Sequence, residues 1–260
     1  MAKSSNSYQA PALEKGLDIL EHLSQKATSL SQTEIAEGIN RSTNEIYRML
    51  VCLEERGYLI RDEVSGKYRL SLKLYNLSHR HSPVDEIRKV AEYPMQRLSE
   101  ITNQSCHLGV IYHDQLMVIY QSKSPGPISL SVEEGSLFPL LLTASGRTLL
   151  AFMNEQDRNN QLSRIPDFQE YSSKEQQEFI DSLNNIRSQG YYSKPSDVAQ
   201  GVTDVVVPIG DGSTKVFASL AVSILTTQID ETISFDKIRQ SAQDTADQIL
   251  DKIGINQVQD

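Results

Sequence analysis

Two copies of one four-residue signal, Ser31-Gln32-Thr33-Glu34 and Ser42-Thr43-Asn44-Glu45, stand close together near the start of this 260-residue chain. In each, the serine hydroxyl is placed to accept from the backbone N–H three positions on. The glutamate can reach back to the serine's own N–H, so each copy opens a helix. The first helix runs through Ile35 and Ile39, with Gly38 near its end as the left-handed residue that stops it. On the second, Ile46, Met49, Leu50 and Leu53 follow the i, i+3, i+4, i+7 rule and form a buried face. Leu13, Leu17, Leu20 and Leu23 predict an earlier helix over residues 12–24. Helices opened this close together are short and joined by a tight turn.

Gly57 then ends the capped helix. Residues 58–62 and 67–72 read as strands around Ser65-Gly66, with Tyr68, Leu70 and Leu72 alternating with Lys67, Arg69 and Ser71. Helix, helix, capped helix, glycine and basic hairpin is the order of a winged helix-turn-helix, which lays one helix in the major groove of DNA. Opposite the buried stripe lie Asn44, Tyr47, Arg48 and Val51, which supply amide and guanidinium donors and a small apolar group for a thymine methyl. Arg41, Thr43, Asn44, Tyr47 and Arg48 are the DNA-binding candidates here, and Lys67 and Arg69 are the phosphate or minor-groove candidates. Simpler roles exist: Glu45 as the capping carboxylate, and Arg48 paired with Glu45 or Glu55 on a solvated face. Winged modules also serve as protein–protein adaptors, so an adaptor is the alternative reading.

Charge divides the chain in the same place. Residues 1–80 hold 11 Lys/Arg against 10 Asp/Glu, and residues 81–260 hold 14 against 24, which together make the net −9. Residues 38–80 alone carry 8 basic and 5 acidic groups. A modestly basic reader on an acidic remainder engages phosphates locally while the whole stays off random polyanions. No apolar run approaches the ~20 residues a transmembrane helix needs, and residues 1–12 lack the apolar core of a signal peptide. Cys52 and Cys106 are far apart in apolar surroundings, so both are expected reduced and buried, in a cytoplasmic protein.

Pro83 precedes a long helical pattern through Ile87, Val90, Ala91, Leu98 and Ile101, which Pro94 is expected to kink or restart. A polar cluster, His79-Arg80-His81, comes just before it. From Ser105 the period becomes that of strands: residues 105–114 and 115–122, with His113-Asp114-Gln115 as the turn, and another strand over 129–133. Residues 143–153 and 174–189 read as helices, 204–209 and 216–224 as strands around Asp211-Gly212, and 235–253 as a closing helix. Strands mixed with helices packed on one sheet predict an α+β sensor of the GAF-like type. The expected organisation is a disordered tail at 1–10, a winged helix-turn-helix at 11–72, a linker at 73–83 and an effector-binding domain at 84–256, with the long helix after Pro83 joining the two domains.

Several segments resemble the IclR family of bacterial regulators: ALEKGLDILEHL (12–23), EIYRML followed by RGYL (45–50 and 56–59), EGSLFPLLLTASGRTLLAF (134–152), GVTDVVVPIGD (201–211) and FASLAVS (217–223). The resemblance runs from about residue 12 to 253. Ser42-Thr43-Asn44-Glu45 before Ile46-Tyr47-Arg48 departs from the family's usual shorter turn. The resemblance implies a ligand-responsive transcription factor controlling a catabolic operon, cytoplasmic and nucleoid-associated when bound. It also implies dimers, often paired into tetramers, on palindromic operator DNA, and a small-molecule effector.

Strand alternation gives an independent view of the effector site. Val202, Asp204 and Val206 share one face of a strand, and Ser219, Ala221 and Ser223 one face of the next. The opposite faces, Val205 with Val207 and Leu220 with Val222, are wholly apolar and should meet helices. The face that carries polar groups is therefore the pocket candidate, since a ligand can pair what burial would leave unpaired. The resemblance points to the same place. It adds Ala144 and Ser145, where backbone N–H groups opening a helix suit an anion, and Leu130, Phe138 and Val202 as apolar walls. Asp204 repels a carboxylate unless protonated or paired, so the effector should offer it donors, as an organic acid or sugar acid with hydroxyls, or an amine, would. No cofactor is expected. Cys106 and His107 point to opposite faces of a strand and lack compact zinc spacing. Ser145 lacks the Gly-x-Ser-x-Gly elbow of hydrolases, so no catalytic residues are assigned, and a hydrolase is the least favoured reading.

Overall fold

The computed structural model describes residues 10–26, 28–78, 83–197, 199–210, 216–225 and 234–253. The 1–9 tail, the His79-Arg80-His81 cluster, the Asp211-Gly212 turn and the last residues of the expected effector domain lie outside these. Two compact units divide at Ser82/Pro83.

In the first unit α1 (Pro11–Ser24), α2 (Gln32–Gly38) and α3 (Thr43–Glu55) precede β1 (Leu59–Arg61), β2 (Tyr68–Leu70) and α4 (Lys73–Ser78). Both predicted capping boxes form. Ser31 Oγ accepts from Glu34 N at 3.3 Å while Ser31 N donates to Glu34 at 2.6 Å; the corresponding Ser42–Glu45 distances are 3.4 and 3.0 Å. The residue with left-handed backbone between α2 and α3 is Asn40 (φ 53°), not Gly38, which still lies inside α2. Gly57 (φ 73°) does end α3's exit turn, and Gly66 (φ 68°) turns the hairpin. Leu30 bridges Tyr68 through two backbone bonds, 2.7 and 3.0 Å, and ties the wing to the helices. Ile19, Ile35, Ile46 and Leu50 are fully buried, each contributing roughly 1.5–3 kcal/mol. Leu72 is 82% exposed, beyond the end of β2, and so does not extend the apolar face assigned to it.

The Ser42–Glu45 box has a pH signature. Hydrogen bonds from Ser42, backbone first, and the Lys15 ammonium 3.2 Å away lower the Glu45 carboxyl to about 2. A lowered folded-state pKa favours the ionised group. Its contribution is therefore complete above the unfolded value of about 4.5 and fades as pH falls toward about 2. Ser42→Ala is expected to cost about 1 kcal/mol and to flatten this acid limb, read by thermal melts between neutral and acid pH.

The second unit opens with α5 (Pro83–Thr102), which runs through Pro94 as one helix and does not restart there. It then builds β3 (Ser105–Tyr112), β4 (Gln115–Ser122), β5 (Leu137–Pro139), α6 (Ala144–Phe152), α7 (Glu155–Leu162), α8 (Pro166–Glu170), α9 (Ser173–Gln189), β6 (Tyr192–Pro195), β7 (Val202–Gly210), β8 (Val216–Leu225) and α10 (Phe235–Ile253). Six antiparallel strands lie in the order β5-β4-β3-β8-β7-β6. One face buries Val205, Val207, Leu220 and Val222 against Ala91, Met95 and Leu98 of α5 and Ala242, Ala246 and Ile249 of α10, as the alternation predicts. On the other face α6 seats Ala144 against Val206 and Ala221, and a second apolar cluster joins α6 to α7, α8 and α9.

The strand expected over 129–133 does not form. Gln121 takes those backbone partners instead: its amide donates to Leu130 O (3.1 Å) and its carbonyl accepts from Val132 N (3.0 Å). The edge strand is β5, which begins at Leu137 beyond that segment and pairs with β4. Cys106 is buried, donates to Met95 O at 3.4 Å and has its thiol pushed up to about 12 by desolvation. Cys52 is exposed, contrary to expectation; it lines an open apolar groove with Leu13, Leu17 and Leu53. Among the described residues no helix is long and apolar enough to cross a membrane, and no cluster of three His, Cys, Asp or Glu is placed to hold a metal ion.

Candidate functional site

The first unit presents α3 outward. Ser42 caps it, so its first turn holds Thr43, Asn44 and Glu45. Ile46 and Leu50 face inward, which leaves Asn44, Tyr47 and Arg48 exposed on the outer stripe, Tyr47 at 54%. Glu45 is occupied as the cap and is held by Lys15, so it does not compete for the outer face. Thr43 is half-buried, and its carbonyl accepts from the Gln32 amide at 2.8 Å, fixing the start of α3 against α2. Arg41 pairs with Asp18 at 3.8 Å and Lys67 with Glu34 at 3.4 Å, while Arg69 is exposed on β2. Surface pairs of this kind are worth about 0–1 kcal/mol, so either cation is available to a phosphate.

The second unit holds a cavity of about 480 Å³ on the sheet face that carries α6. Strand register builds its floor. One row across the sheet is Ser105, Ser223, Asp204 and Lys194; the next is Gln121, His107, Ala221, Val206 and Tyr192. The order β3-β8-β7 thus brings His107 to the same face as Asp204, although they are distant in sequence. Ser223 Oγ donates to Asp204 at 2.7 Å, and Ser145 Oγ lies 3.5 Å from His107 Nε2. Burial lowers the His107 pKa below its ordinary 6.5, against the opposing pull of the Asp204 charge, so the ring is neutral.

Thr143 caps α6 by accepting from Gly146 N at 3.1 Å. The Ala144 and Ser145 N–H groups precede the first intrahelical bonds, and both residues line the cavity. Gly146 permits the close approach of this turn to the preceding loop: a Cβ there would stand 2.2 Å from Leu140 O.

Of the residues picked from sequence, Leu130, Phe138, Ala144, Ser145, Val202, Asp204 and Ser223 all stand on this cavity's wall. Ala221 does not. It is fully buried under Ala144 and Val206, because α6 sits directly on its row. Alternation along isolated strands misses His107, whose partners depend on strand order, and Gln121, whose amide holds the 130–133 wall in place.

A winged reader with an exposed, capped recognition helix, carried with an antiparallel sheet unit that encloses a small-molecule cavity, defines a helix-turn-helix transcriptional regulator with an effector domain. The chain belongs to the IclR family. The model of the IclR helix-turn-helix domain matches residues 12–63, and that of the bacterial transcriptional regulator IclR C-terminal domain matches 81–251. It is similar to the HTH-type transcriptional regulator XynR of Escherichia coli K12, 29% identical over 224 residues that cover 85% of this chain and 88% of the relative. The glycerol operon regulatory protein of Streptomyces coelicolor is 24% identical over 200 residues, covering 77% and 79%. Among solved structures, an IclR homolog complexed with 4-hydroxybenzoate from Microbacterium hydrocarbonoxydans superposes with TM-score 0.77 at 20% identity, over 94% of this chain and 99% of that one. The Thermotoga maritima IclR gives 0.70 at 24%, over 93% and 98%. The fold is therefore α+β: winged helix-turn-helix, long linker helix and antiparallel effector domain. The chain is a regulator and not an enzyme.

Proposed function

We propose that this regulator controls a catabolic operon by sensing a small organic acid or sugar acid. In this reading it binds a palindromic operator as a dimer or pair of dimers and works in the cytoplasm at the nucleoid. Arg41, Thr43, Asn44, Tyr47 and Arg48 read the major groove, while Lys67 and Arg69 hold phosphate. The effector lies between the α6 N-terminus and the Asp204–Ser223 pair. The observation that carries this is the composition of the cavity: apolar walls from Leu130, Phe138 and Val202, two backbone N–H groups suited to a carboxylate, and a carboxylate acceptor suited to hydroxyls. An IclR homolog complexed with 4-hydroxybenzoate, a hydroxy acid, is in keeping with the ligand class.

The test is a thermal-shift screen of sugar acids, hydroxybenzoates and short hydroxy acids, followed by operator binding with each hit. An effector at a hundred times its Kd adds about 2.7 kcal/mol of stability, an upward shift in Tm, and changes operator occupancy. A panel in which no acid shifts Tm, or in which hits leave occupancy unchanged, defeats the proposal. Duplex binding that does not weaken with salt would favour the adaptor reading instead.

A further inference from the structure

An organic acid entering this cavity meets a wall without a fixed cation of its own. Among the described residues the lining holds three carboxylates, Glu133, Asp197 and Asp204, and no lysine or arginine. The Lys194 ammonium, across from Asp204 in the β6–β7 register, is bound to Asp197. Asp204 and Glu133 repel a bound carboxylate, and the α6 N-terminus offsets only part of that repulsion. One group on the wall can acquire positive charge without breaking a pair. His107 directs its Nε2 toward Ser145, at 3.5 Å, and so toward the same end of the cavity as the α6 N–H groups.

We propose that His107 is the cavity's switchable cation: a carboxylate ligand binds with uptake of one proton on the His107 ring, so the regulator reads pH together with ligand concentration. This rests on the organic-acid reading above. The groups facing the ring are few. Gln121 and Ala221 flank it on β4 and β8 and do not titrate, and α6 presents Ser145. β7 presents Asp204, the 130–133 wall Glu133, and the loop after β6 Asp197 with its Lys194 partner. Cys106 points into the opposite core.

In the free protein burial outweighs the Asp204 charge and holds the ring neutral. A carboxylate beside it adds a second negative charge and favours the imidazolium. Between the depressed pKa of the free state and the raised pKa of the complex, binding takes up a proton. Over that range affinity falls by up to tenfold for each unit rise in pH.

The experiment is calorimetry on the full-length protein. The probes are the tightest acid from the screen and its neutral amide or alcohol, titrated at about pH 6, 7 and 8 in buffers of different ionisation enthalpy. Expected are close to one proton taken up per acid bound, none for the neutral probe, and an acid preference that grows as pH falls. His107→Gln should abolish the uptake and the pH slope. If His107→Gln does not fold, His107→Asn carries the same test. An acid that binds with no uptake overturns the inference and leaves the organic-acid reading standing. So does uptake that survives His107→Gln, or a pH-independent acid preference lost in Lys194→Met. If no acid binds at any pH, the organic-acid reading itself falls and this inference falls with it.

Discussion

Gly146→Ala is expected to destabilise the second unit by about 3 kcal/mol, the upper end of what overpacking a well-packed site costs. The added Cβ would lie 2.2 Å from the Leu140 carbonyl oxygen, 2.9 Å from its carbon and 2.8 Å from Thr143 Oγ1. Two of those neighbours are backbone and cannot swing aside. The third is the N-cap, whose bond from Gly146 N would be strained at the same time, adding on the order of 1 kcal/mol. Relief requires α6 to move off the Ala144–Val206–Ala221 seat, so ligand affinity should fall together with stability. Gly16→Ala is the internal control. It lies in α1 with nothing within 4 Å of the added atom, and exchanging a mid-helix glycine for alanine should stabilise by about 0.5–1 kcal/mol. Urea unfolding at unchanged m-value, with separate probes for the two units, reads both signs. A loss below about 1 kcal/mol at Gly146 would show that the α6 turn relaxes freely and would remove the reason for a glycine there.

What could be read from the residues alone followed how local the physics was. The capping boxes at Ser31 and Ser42 need only three residues of chain each, and both form as expected. So does the apolar face of Val205, Val207, Leu220 and Val222, because alternation is a property of each strand alone. Gly38 misled because a glycine near a helix end need not be its left-handed residue; Asn40 tolerates that backbone and sits two residues later in the turn. The 129–133 segment misled for a different reason. Its composition is extended, but a distant glutamine supplies its hydrogen bonds, which no local pattern shows. Likewise Ala221 was picked with Ser223 because both lie on the polar-bearing face, and only the docking of α6 over one row and not the next separates them. His107 is the plainest case. It earns its place beside Asp204 through the order β3-β8-β7, whereas sequence adjacency ties it to Cys106, with which it shares no face.

Arg48→Ala is expected to weaken specific operator binding far more than it weakens binding to random duplex. The side chain lies on the exposed stripe of α3 with no ion pair among the described residues, so removing it should leave folding stability within about 0.5 kcal/mol. A guanidinium on a guanine edge carries about 1–3 kcal/mol of discrimination. If two heads read two half-sites too far apart to interact, the losses add, giving roughly 2–6 kcal/mol in all. Lys67→Ala and Arg69→Ala should behave differently. Each removes a phosphate contact, lowering affinity about equally on every sequence and reducing the salt slope by about 0.9 per contact. Lys67 first has to leave Glu34, a half-exposed pair of little strength, so Arg69, which is exposed on β2, should show the larger effect of the two. Fluorescence anisotropy on an operator recovered by in vitro selection and on a scrambled duplex, across a salt series, separates the classes. Equal losses for Arg48→Ala on both duplexes would make it a phosphate contact and move sequence reading to Asn44 and Tyr47, the remaining exposed side chains of the same stripe. An unchanged affinity would mean that α3 does not enter the groove by this face, and the basic edge of the wing would have to carry the contact alone.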